Sequence, residues 1–241
     1  MKKRPLLLVG YGRFGKYAAS ILRRHFDLHV LETRKNVRPG RGIRRVGNAD
    51  IPRFSIILLA IPVHRLRGFL KQHSSRVAPG SFVADVCAVK EKPLEWMDEF
   101  LPDNVSFSGL HPLFGPDSAR QGLRGHAVVV CRGRTTSGCH RKLLTIIKKL
   151  GLKSIETDPG THDRTIASTL FMTQWIGRWA ASCGLTRHFP FETPAFNSLR
   201  ILMSRAGNDA PALLRDIYRY SPYSRRIVKK LRMRAKKIFP Y

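Results

Sequence analysis

The sequence predicts an α/β domain built on a mostly parallel sheet, followed by an all-helical domain. Two observations carry this prediction. Short apolar runs alternate with segments of helical periodicity over residues 1–157, which is the pattern of a parallel sheet with crossover helices. Over 158–241 the pattern is helical throughout. We therefore expect two domains, 1–157 and 158–241.

The elements of the first domain follow in order along the chain. The predicted strands are the apolar runs at 5–9, 28–31, 55–61, 81–86, 105–110, 126–131 and 153–157. The predicted helices, in which apolar residues recur at helical spacing, are 16–24, 63–73, 92–100 and 139–150. The segment 37–48, rich in arginine and glycine, is expected to be a loop.

The second domain begins with a long helical segment, 161–185, whose apolar residues cover nearly all faces, and this predicts a buried helix. Pro194, Pro211 and Pro222 punctuate two or three further helices over 192–238. A helical segment of about 80 residues has a thin core alone. We therefore expect this domain to pair with a second copy of the chain, as a homodimer.

Composition excludes several classes of protein. The 241 residues hold 44 Lys plus Arg against 16 Asp plus Glu, a net charge of +28, yet 43% are hydrophobic, which argues against intrinsic disorder. The four cysteines lack CxxC spacing, so we expect no metal and no disulfide framework. No apolar stretch reaches the roughly 18 residues of a membrane span, and the first is too short for a signal peptide. The expected compartment is the cytoplasm.

The positive charge is spread along the chain rather than confined to one tail. Its densest run, 225–237, has apolar residues at helical spacing, which predicts an amphipathic helix with a basic outer face. Such a face could form a patch for nucleic acid or anionic lipid. No zinc spacing, aromatic-rich RNA motif or DNA-reading helix supports a nucleic-acid partner, so none is expected. A basic surface would also concentrate an anionic small-molecule substrate.

A glycine-rich turn carries the first functional signal. Gly10-x-Gly12-x-x-Gly15 follows the first strand and opens the first helix. The first glycine permits a tight turn, the second lets the backbone approach a pyrophosphate, and the third lets helix and strand pack closely. The phosphates then meet the N-terminus of a helix. With Glu32 at the end of the second strand, this pattern predicts a Rossmann-type domain that binds a dinucleotide.

The cofactor is expected to be NAD, with NADP possible. Glu32 is placed to accept a hydrogen bond from the adenosine ribose 2′-OH, and a 2′-phosphate would meet like charge there. Arg34 and Lys35 follow immediately and could hold such a phosphate. The predicted cofactor-binding residues are Gly10, Gly12, Arg13, Phe14, Gly15, Glu32, Arg34, Ile61 and Pro62.

His111 has the best context of the histidines for chemistry. Ligands of open α/β sheets bind beyond the carboxyl ends of the strands. Three segments lie there: 60–62, 85–90 and 109–118. In the last of them, His111 leaves a buried strand and enters a loop restrained by prolines and a glycine. Histidine titrates near neutrality and can accept a proton, so His111 is the candidate general base.

Four motifs together resemble the prephenate and arogenate dehydrogenases of tyrosine biosynthesis (TyrA type). They are VGYGRFG at 9–15, ADVCAVKEKP at 84–93, HPLFGPDS at 111–118 and THD at 161–163. The resemblance covers nearly the whole chain. It implies an oxidoreductase that converts prephenate to 4-hydroxyphenylpyruvate by NAD(P)-dependent oxidative decarboxylation, with hydride transfer from ring C4 and His111 as the base.

The resemblance also implies substrate-binding residues, with the substrate in the cleft between the domains. Arg205 matches the arginine that clasps a substrate carboxylate. His162 and Asp163 match a conserved pair, although Asp163 also suits the first turn of a helix as a dipole partner. Ala88 stands where the family usually has Ser, so one polar contact is missing. Either water replaces the hydroxyl, or the natural substrate differs at C4, as 4-amino-4-deoxyprephenate does.

Two alternatives stay open. Arogenate could be the substrate instead of prephenate. The opening VGYGRFG also resembles regulatory domains of potassium transporters, which would make the chain a non-catalytic dinucleotide-sensing module. The motif HPLFGPDS and the expected buried helix over 164–185 argue against a sensor.

Overall fold

A computed structural model describes residues 3–238 of the chain, and within them the first part forms a mostly parallel sheet of eight strands. The strands are β1 (Pro5–Val9), β2 (Asp27–Leu31), β3 (Arg44–Val46), β4 (Ile56–Leu59), β5 (Phe82–Asp85), β6 (Ser106–Pro112), β7 (Ala127–Arg132) and β8 (Lys153–Glu156). Their order across the sheet is β3-β2-β1-β4-β5-β6-β7-β8. Of the neighbouring pairs, β6 and β7 are antiparallel and the others parallel. The predicted fold class is confirmed.

The chain divides into two compact units, of which the first ends at Pro159 and the second begins at Gly160. Helices of the first unit are α1 (Arg13–Leu22), α2 (Val63–His73), α3 (Glu91–Phe100) and α4 (Ser137–Lys149). The helical part that follows consists of α5 (Pro159–Ile166), a π-helical turn (Ala167–Phe171), α6 (Met172–Ser182), α7 (Pro194–Asn208), α8 (Pro211–Tyr220) and α9 (Pro222–Ile238).

The core of the first unit explains why β1 reads as a continuous apolar run. Leu7 and Leu8 point to opposite faces of the sheet and both are fully buried. A strand covered on both faces has no solvent side on which a polar residue would be favoured. The motif-bearing strands are therefore held rigidly in the middle of the sheet.

The parallel arrangement brings the sequence motifs to one edge of the sheet. Strands β1, β2, β4, β5 and β6 run in the same direction, so their carboxyl ends lie together. Gly10, Glu32, Ala60 and Asp85 lie at or directly after these ends, and His111 is the next-to-last residue of β6. The strand order reverses on either side of β1, which is where ligands bind in folds of this kind.

The prediction that 37–48 is only a loop was wrong. Arg44–Val46 forms β3, which pairs in parallel with β2 at the edge of the sheet. Its sequence, Arg-Arg-Val, has no apolar pattern because the strand is largely exposed. Backbone pairing, not burial, holds it in place, and hydropathy carries no signal of that.

The second unit confirms the proline punctuation but not the buried helix. Pro194, Pro211 and Pro222 are each the first residue of a helix, as fits a residue without a backbone N–H. The helix predicted to be apolar on all faces buries only a stripe, and its Trp179 is 59% exposed. The prediction was wrong because apolar residues on the outer face of α6 are not covered by this unit.

Helices α6 and α7 approach closely at a glycine. A Cβ added to Gly177 would lie 2.8 Å from the Cβ of Ala206 and 2.9 Å from the carbonyl oxygen of Leu202. The close packing of these helices therefore requires glycine at this position.

None of the helices within residues 3–238 carries an apolar stretch of the length that spans a bilayer.

Candidate functional site

The glycine-rich turn has the geometry that its three glycines predict. Gly10 adopts φ +95°, and a Cβ there would lie 2.5 Å from the carbonyl oxygen of Ala60. A Cβ on Gly15 would collide with the carbonyl oxygen of Gly10. Around Gly12, in contrast, a Cβ would meet no atom within 4 Å. The first and third glycines therefore allow close packing, whereas the second leaves open space in front of the turn.

The N-terminus of α1 has no side-chain cap. Gly12 is the N-cap and offers no side-chain hydrogen bond, and the first turn of α1 holds no acidic residue. The helix dipole favours negative charge in front of this N-terminus. Open space before uncapped amides fits the diphosphate of a dinucleotide.

Glu32 is engaged by the protein itself. Its Oε2 accepts from the backbone N–H of Tyr11 (3.0 Å) and from Nη2 of Arg34 (2.7 Å). Its Oε1 accepts from the backbone N–H of Arg34 (2.9 Å) and from Nε of Arg34 (3.1 Å). Four donors occupy the two oxygens, and the side chain is only 7% exposed. Arg34, in contrast, leaves 55% of its side chain exposed.

These bonds fix the charge of Glu32. The Arg34 guanidinium, together with the backbone amides of Arg34 and Tyr11, lowers the pKa of Glu32 from 4.5 to about 2. The carboxylate is therefore ionised at every physiological pH and is neutralised by a guanidinium rather than exposed as a free charge.

The loop after β2 is wrapped around a second arginine. Nη2 of Arg45 donates to the carbonyl oxygens of Glu32 (2.7 Å) and Arg34 (3.1 Å), and Nη1 donates to those of Lys35 (3.4 Å) and Val37 (3.1 Å). Arg45 lies on β3, the strand that the sequence did not reveal. Its hydrogen bonds fix the backbone of Arg34 and Lys35.

His111 lies at the carboxyl end of β6, on the same edge of the sheet as the glycine turn. Its backbone pairs with Val129 of β7, and the residue is 7% exposed. The imidazole is thus largely shielded from water at a position where the strand gives way to a loop. A base in such a place is held in a fixed orientation by the sheet.

A buried ion pair supports the strand beside His111. Lys90 and Asp85 form a salt bridge in which both side chains are fully buried, and Nζ of Lys90 also donates to the carbonyl oxygen of Leu110 (2.8 Å). Oδ1 of Asp85 accepts from the backbone N–H of Cys87 (2.8 Å), and its Oδ2 has no hydrogen-bond partner. Burial raises the pKa of the Asp85 carboxyl, against the effect of the lysine.

This pair links two motifs. A Cβ added to Gly109 would lie 2.7 Å from Cδ of Lys90 and 3.2 Å from Oδ2 of Asp85. Gly109 therefore makes room for the pair directly before Leu110 and His111. Leaving either charge alone in this interior would be costly, so the pair fixes the loop after β5 against the end of β6.

The loop after His111 returns to the glycine turn. Nη2 of Arg13 lies 2.5 Å from Oδ2 of Asp117, and the hydroxyl of Tyr17 donates to the carbonyl oxygen of Ala119 (3.0 Å). The rings of Tyr17 and Phe114 meet edge-on, with centroids 6.4 Å apart. The candidate base and the candidate phosphate-binding turn are thus connected through one loop.

The other predicted residues of this unit lie at the same edge. Cγ2 of Ile61 would be 2.8 Å from a Cβ on Gly10, and Pro62 is the N-cap of α2. Sγ of Cys87 donates to the carbonyl oxygen of Ile61 (3.6 Å). Ala88, next to Cys87, is partly exposed in the loop after β5. Phe14 is partly buried in the first turn of α1.

Three predicted substrate residues belong to the second unit. Arg205 is exposed on α7, near the end of that helix. His162 and Asp163 are buried in α5, where Nδ1 of His162 lies 2.7 Å from Oδ1 of Asp163. The expectation that Asp163 occupies the first turn was wrong, because the helix begins at Pro159 and its first turn holds no acidic residue.

Sequence reasoning missed Lys90, Asp117 and Tyr17. Lys90 and Asp85 could have been paired as opposite charges after a buried strand. Asp117 could have been noticed as an acid within the His111 loop of a strongly basic chain. Its partner Arg13 lies 104 positions earlier, and no local pattern reveals such a contact. Among the described residues 3–238, no group of three or more metal-ligating side chains is assembled.

Comparisons with known proteins agree with this geometry. The family model described as prephenate dehydrogenase, nucleotide-binding domain, matches residues 27–156. Arogenate dehydrogenase 2 of Arabidopsis thaliana, a chloroplastic protein, is 23% identical over 240 residues, which cover 95% of this chain and 67% of that protein. A probable arogenate/prephenate dehydrogenase of Methanocaldococcus jannaschii is 24% identical over 235 residues, covering 90% of this chain and 51% of that protein. The chain thus spans two thirds and about half of their lengths.

Solved structures share the fold over nearly the whole chain. Prephenate dehydrogenase of Aquifex aeolicus, in complex with hydroxyphenyl propionate and NAD+, superposes with a TM-score of 0.75 at 18% identity, covering 98% of this chain and 90% of that one. Arogenate dehydrogenase of Synechocystis superposes with a TM-score of 0.70 at 17% identity, covering 98% and 91%. These likenesses extend from the sheet into the helices after residue 160.

Proposed function

Because the chain belongs to the prephenate dehydrogenase family, we propose that it catalyses the NAD(P)-dependent oxidative decarboxylation of prephenate to 4-hydroxyphenylpyruvate. Residues 1–157 bind the dinucleotide, and residues 158–241 contribute to substrate binding and dimerisation. The observation that carries this proposal is the position of His111. It is the next-to-last residue of β6, at the edge of the sheet that bears the glycine turn, and the loop that follows it returns to that turn.

His111 acts as the general base. It accepts the proton of the substrate 4-hydroxyl as the hydride leaves ring C4, so that C4 becomes a carbonyl carbon. The bond from the ring to its carboxylate then breaks and CO2 departs. The electron pair of that bond makes the ring aromatic, and the resulting phenolate oxygen takes the proton back from His111. A bound oxidised nicotinamide supplies the acceptor for that hydride. Aromatisation drives the reaction, so the protein has to position one base and exclude water. The buried His111, fixed by the sheet and by the Lys90 contact to Leu110, suits that task.

The direct test is an activity assay with matched substrates. The protein is incubated with NAD+ or NADP+ and with prephenate, arogenate or 4-amino-4-deoxyprephenate, and reduced nicotinamide is followed by absorbance. We expect turnover with prephenate. A chain that binds a dinucleotide but turns over none of these substrates would be a sensor, and the proposal would fail.

We propose NADP as the preferred cofactor, in place of the NAD expected from Glu32. Glu32 cannot accept a hydrogen bond from a ribose 2′-OH while four donors of the protein occupy its oxygens. Arg34 bonds Glu32 and the carbonyl oxygen of Tyr11, yet leaves 55% of its side chain exposed beside that carboxylate, and Lys35 adds a second cation. Two cations beside a neutralised carboxylate suit a 2′-phosphate. This reverses the preference that Glu32 alone suggests.

Arogenate is the second candidate substrate, because the Arabidopsis thaliana relative is named an arogenate dehydrogenase. The two substrates share the ring chemistry and differ in the side chain, where prephenate has a keto group and arogenate an ammonium group. Prephenate has the larger net negative charge. The strongly basic composition of this chain therefore favours prephenate.

Replacing Ala88 with Ser tests the missing hydroxyl. If the site has only lost a helper, Ala88→Ser raises kcat/KM for prephenate several-fold, because a neutral hydrogen bond contributes about 0.5–1.5 kcal/mol. Steady-state kinetics with prephenate and the 4-amino analogue in parallel measure this. A gain with neither substrate would contradict the idea that Ala88 stands in a substrate pocket.

Replacing Arg205 with Ala tests substrate binding. The exposed guanidinium of Arg205 is proposed to clasp a substrate carboxylate with two parallel bonds. We expect KM for prephenate to rise about tenfold or more, as loss of a charge-assisted contact implies, while KM for NADP+ changes little. The matched control is Arg187→Ala, an exposed arginine of the same unit. Equal effects on both KM values would exclude the assignment.

The second unit is proposed to pair with a second copy of the chain. Trp179, Ile201 and Phe191 are 59%, 55% and 93% exposed, and Trp179 stacks on Trp175 at 6.0 Å. Large aromatic side chains left in water are typical of a surface that another protein covers. Light scattering after gel filtration should give the mass of a dimer, and Trp179→Ser should lower it toward that of a monomer. A monomeric wild-type chain at micromolar concentration would refute dimerisation.

A further inference from the structure

The loop that follows His111 is joined to the start of α1 by two side-chain contacts that the proposed mechanism does not use. Asp117 meets Arg13, the first residue of α1, and Ala119 accepts a hydrogen bond from Tyr17, four residues further along the same helix. Both contacts join segments more than 100 positions apart in the sequence. They bring the loop to the N-terminus of α1, where the glycine turn leaves open space beside Gly12.

We propose that Asp117 is a positioning residue that makes the His111 loop respond to an anion at the N-terminus of α1. Asp117 holds the Arg13 guanidinium at the glycine turn, and Arg13 connects the bound anion to the loop. This inference rests on the proposed function, since the anion there is the diphosphate of the cofactor.

The charges of this cluster favour such a connection. Asp117 also accepts from Arg120 (3.2 Å), so two guanidinium groups face one carboxylate, and the cluster carries a net positive charge. Arg13 bonds Asp117 through Nη2, and a guanidinium has five N–H donors in all. A guanidinium can contact a carboxylate and a phosphate oxygen at the same time through different N–H groups. The carboxylate orients Arg13, and the charge of Arg13 offsets the repulsion between Asp117 and the anion.

The loop is held together by its own hydrogen bonds. The backbone N–H of Gly115 donates to Oγ of Ser118 (2.9 Å), and that of Ala119 donates to the carbonyl oxygen of Gly115 (3.1 Å). Ala119 is 2% exposed, whereas the side chains of Asp117 and Arg13 are 32% and 42% exposed. A compact turn anchored at Ala119 transmits the position of Asp117 back toward Pro112 and His111.

A pair this exposed is weak by itself, worth at most about fivefold in an equilibrium. The effect of the Arg13–Asp117 pair on the loop should therefore be small without an anion. It should be larger with one, because a bound phosphate adds a third charge next to Arg13 and Asp117. This difference separates a positioning role from a merely structural one.

Hydrogen exchange of residues 113–122, followed by mass spectrometry, tests the proposal. The variants are Asp117→Asn, which removes the charge, Asp117→Glu, which keeps it, and Arg120→Gln, which leaves the Arg13 contact in place. In ligand-free protein, exchange in Asp117→Asn should be about threefold faster than in wild type. NADP+ should slow exchange at least fivefold further in wild type, Arg120→Gln and Asp117→Glu, but not in Asp117→Asn.

Binding and kinetics complete the test. Asp117→Asn should bind NADP+ within threefold of wild type by calorimetry, while kcat falls about fivefold and KM for NADP+ stays unchanged. Equal protection of the loop by NADP+ in Asp117→Asn and wild type overturns the proposal. So does a loss of NADP+ binding above tenfold, which would make Asp117 part of the binding site. If the wild-type chain binds no dinucleotide, the proposed function fails. The positioning role fails separately if Asp117→Asn exchanges as slowly as wild type in the absence of ligand.

Discussion

Replacing His111 with Asn should lower kcat by about 10²–10⁴-fold, the contribution that a positioned general base makes. Asparagine keeps a polar group of similar size in the buried position but cannot accept a proton at neutral pH. The 4-hydroxyl would then have to lose its proton to water, and little water reaches position 111, which is only 7% exposed. The measurement is single-turnover kinetics at saturating prephenate and NADP+, so that product release does not hide the chemical step.

The binding of NADP+ to His111→Asn should stay within about twofold of wild type, because a side chain that acts only as a base leaves the cofactor contacts in place. His25→Asn is the matched control, since His25 is an exposed histidine of the same unit, and it should retain full activity. Activity of His111→Asn within a few-fold of wild type would remove His111 from the mechanism. A parallel loss of NADP+ binding would point to a folding or binding defect instead.

The fold could be predicted from the sequence where burial and local chemistry decide it. Helix α2 (Val63–His73) was predicted with its observed bounds, and β1 (Pro5–Val9) likewise, because both carry strong periodicity between clear breakers. The positions of Gly10 and Gly15 followed from the steric needs of a tight turn. Each of these features depends on a few neighbouring residues.

The sequence does not predict contacts between residues far apart in the chain, nor which of several possible partners a side chain bonds. Strand β3 is exposed and held by β2, so no apolar pattern marks it. The exposure of Trp179 depends on what covers α6, which periodicity does not describe. Glu32 is the sharpest case, because its acidic character predicted a ribose contact. In the structure Arg34, two positions away, bonds both oxygens of Glu32, and the sequence pattern does not indicate this ion pair.

Replacing Arg34 with Ala should invert the cofactor preference. The change removes the guanidinium proposed to hold the 2′-phosphate, so kcat/KM for NADP+ should fall about 10- to 100-fold, the scale of a hydrogen bond to a charged group. It also releases Glu32, whose oxygens then become free to accept from a ribose 2′-OH, so kcat/KM for NAD+ should hold or rise. Steady-state kinetics with both cofactors give the ratio. Arg53→Ala, which removes an exposed arginine paired with Asp50, should leave that ratio unchanged.

The pH dependence of this preference separates the roles of Glu32 and Arg34. With a pKa of about 2, lowered from 4.5, Glu32 is fully ionised above pH 5, and its ion pair weakens only as pH falls toward 2. It therefore contributes no titration between pH 5 and pH 8. The 2′-phosphate gains its second negative charge near pH 6, as phosphate monoesters do, and a cation attracts the doubly charged form more strongly. The wild-type preference for NADP+ over NAD+ should thus grow from pH 5 to pH 8, and Arg34→Ala should lose that growth. A wild-type preference for NAD+ that Glu32→Gln abolishes would instead show that Glu32 contacts the ribose.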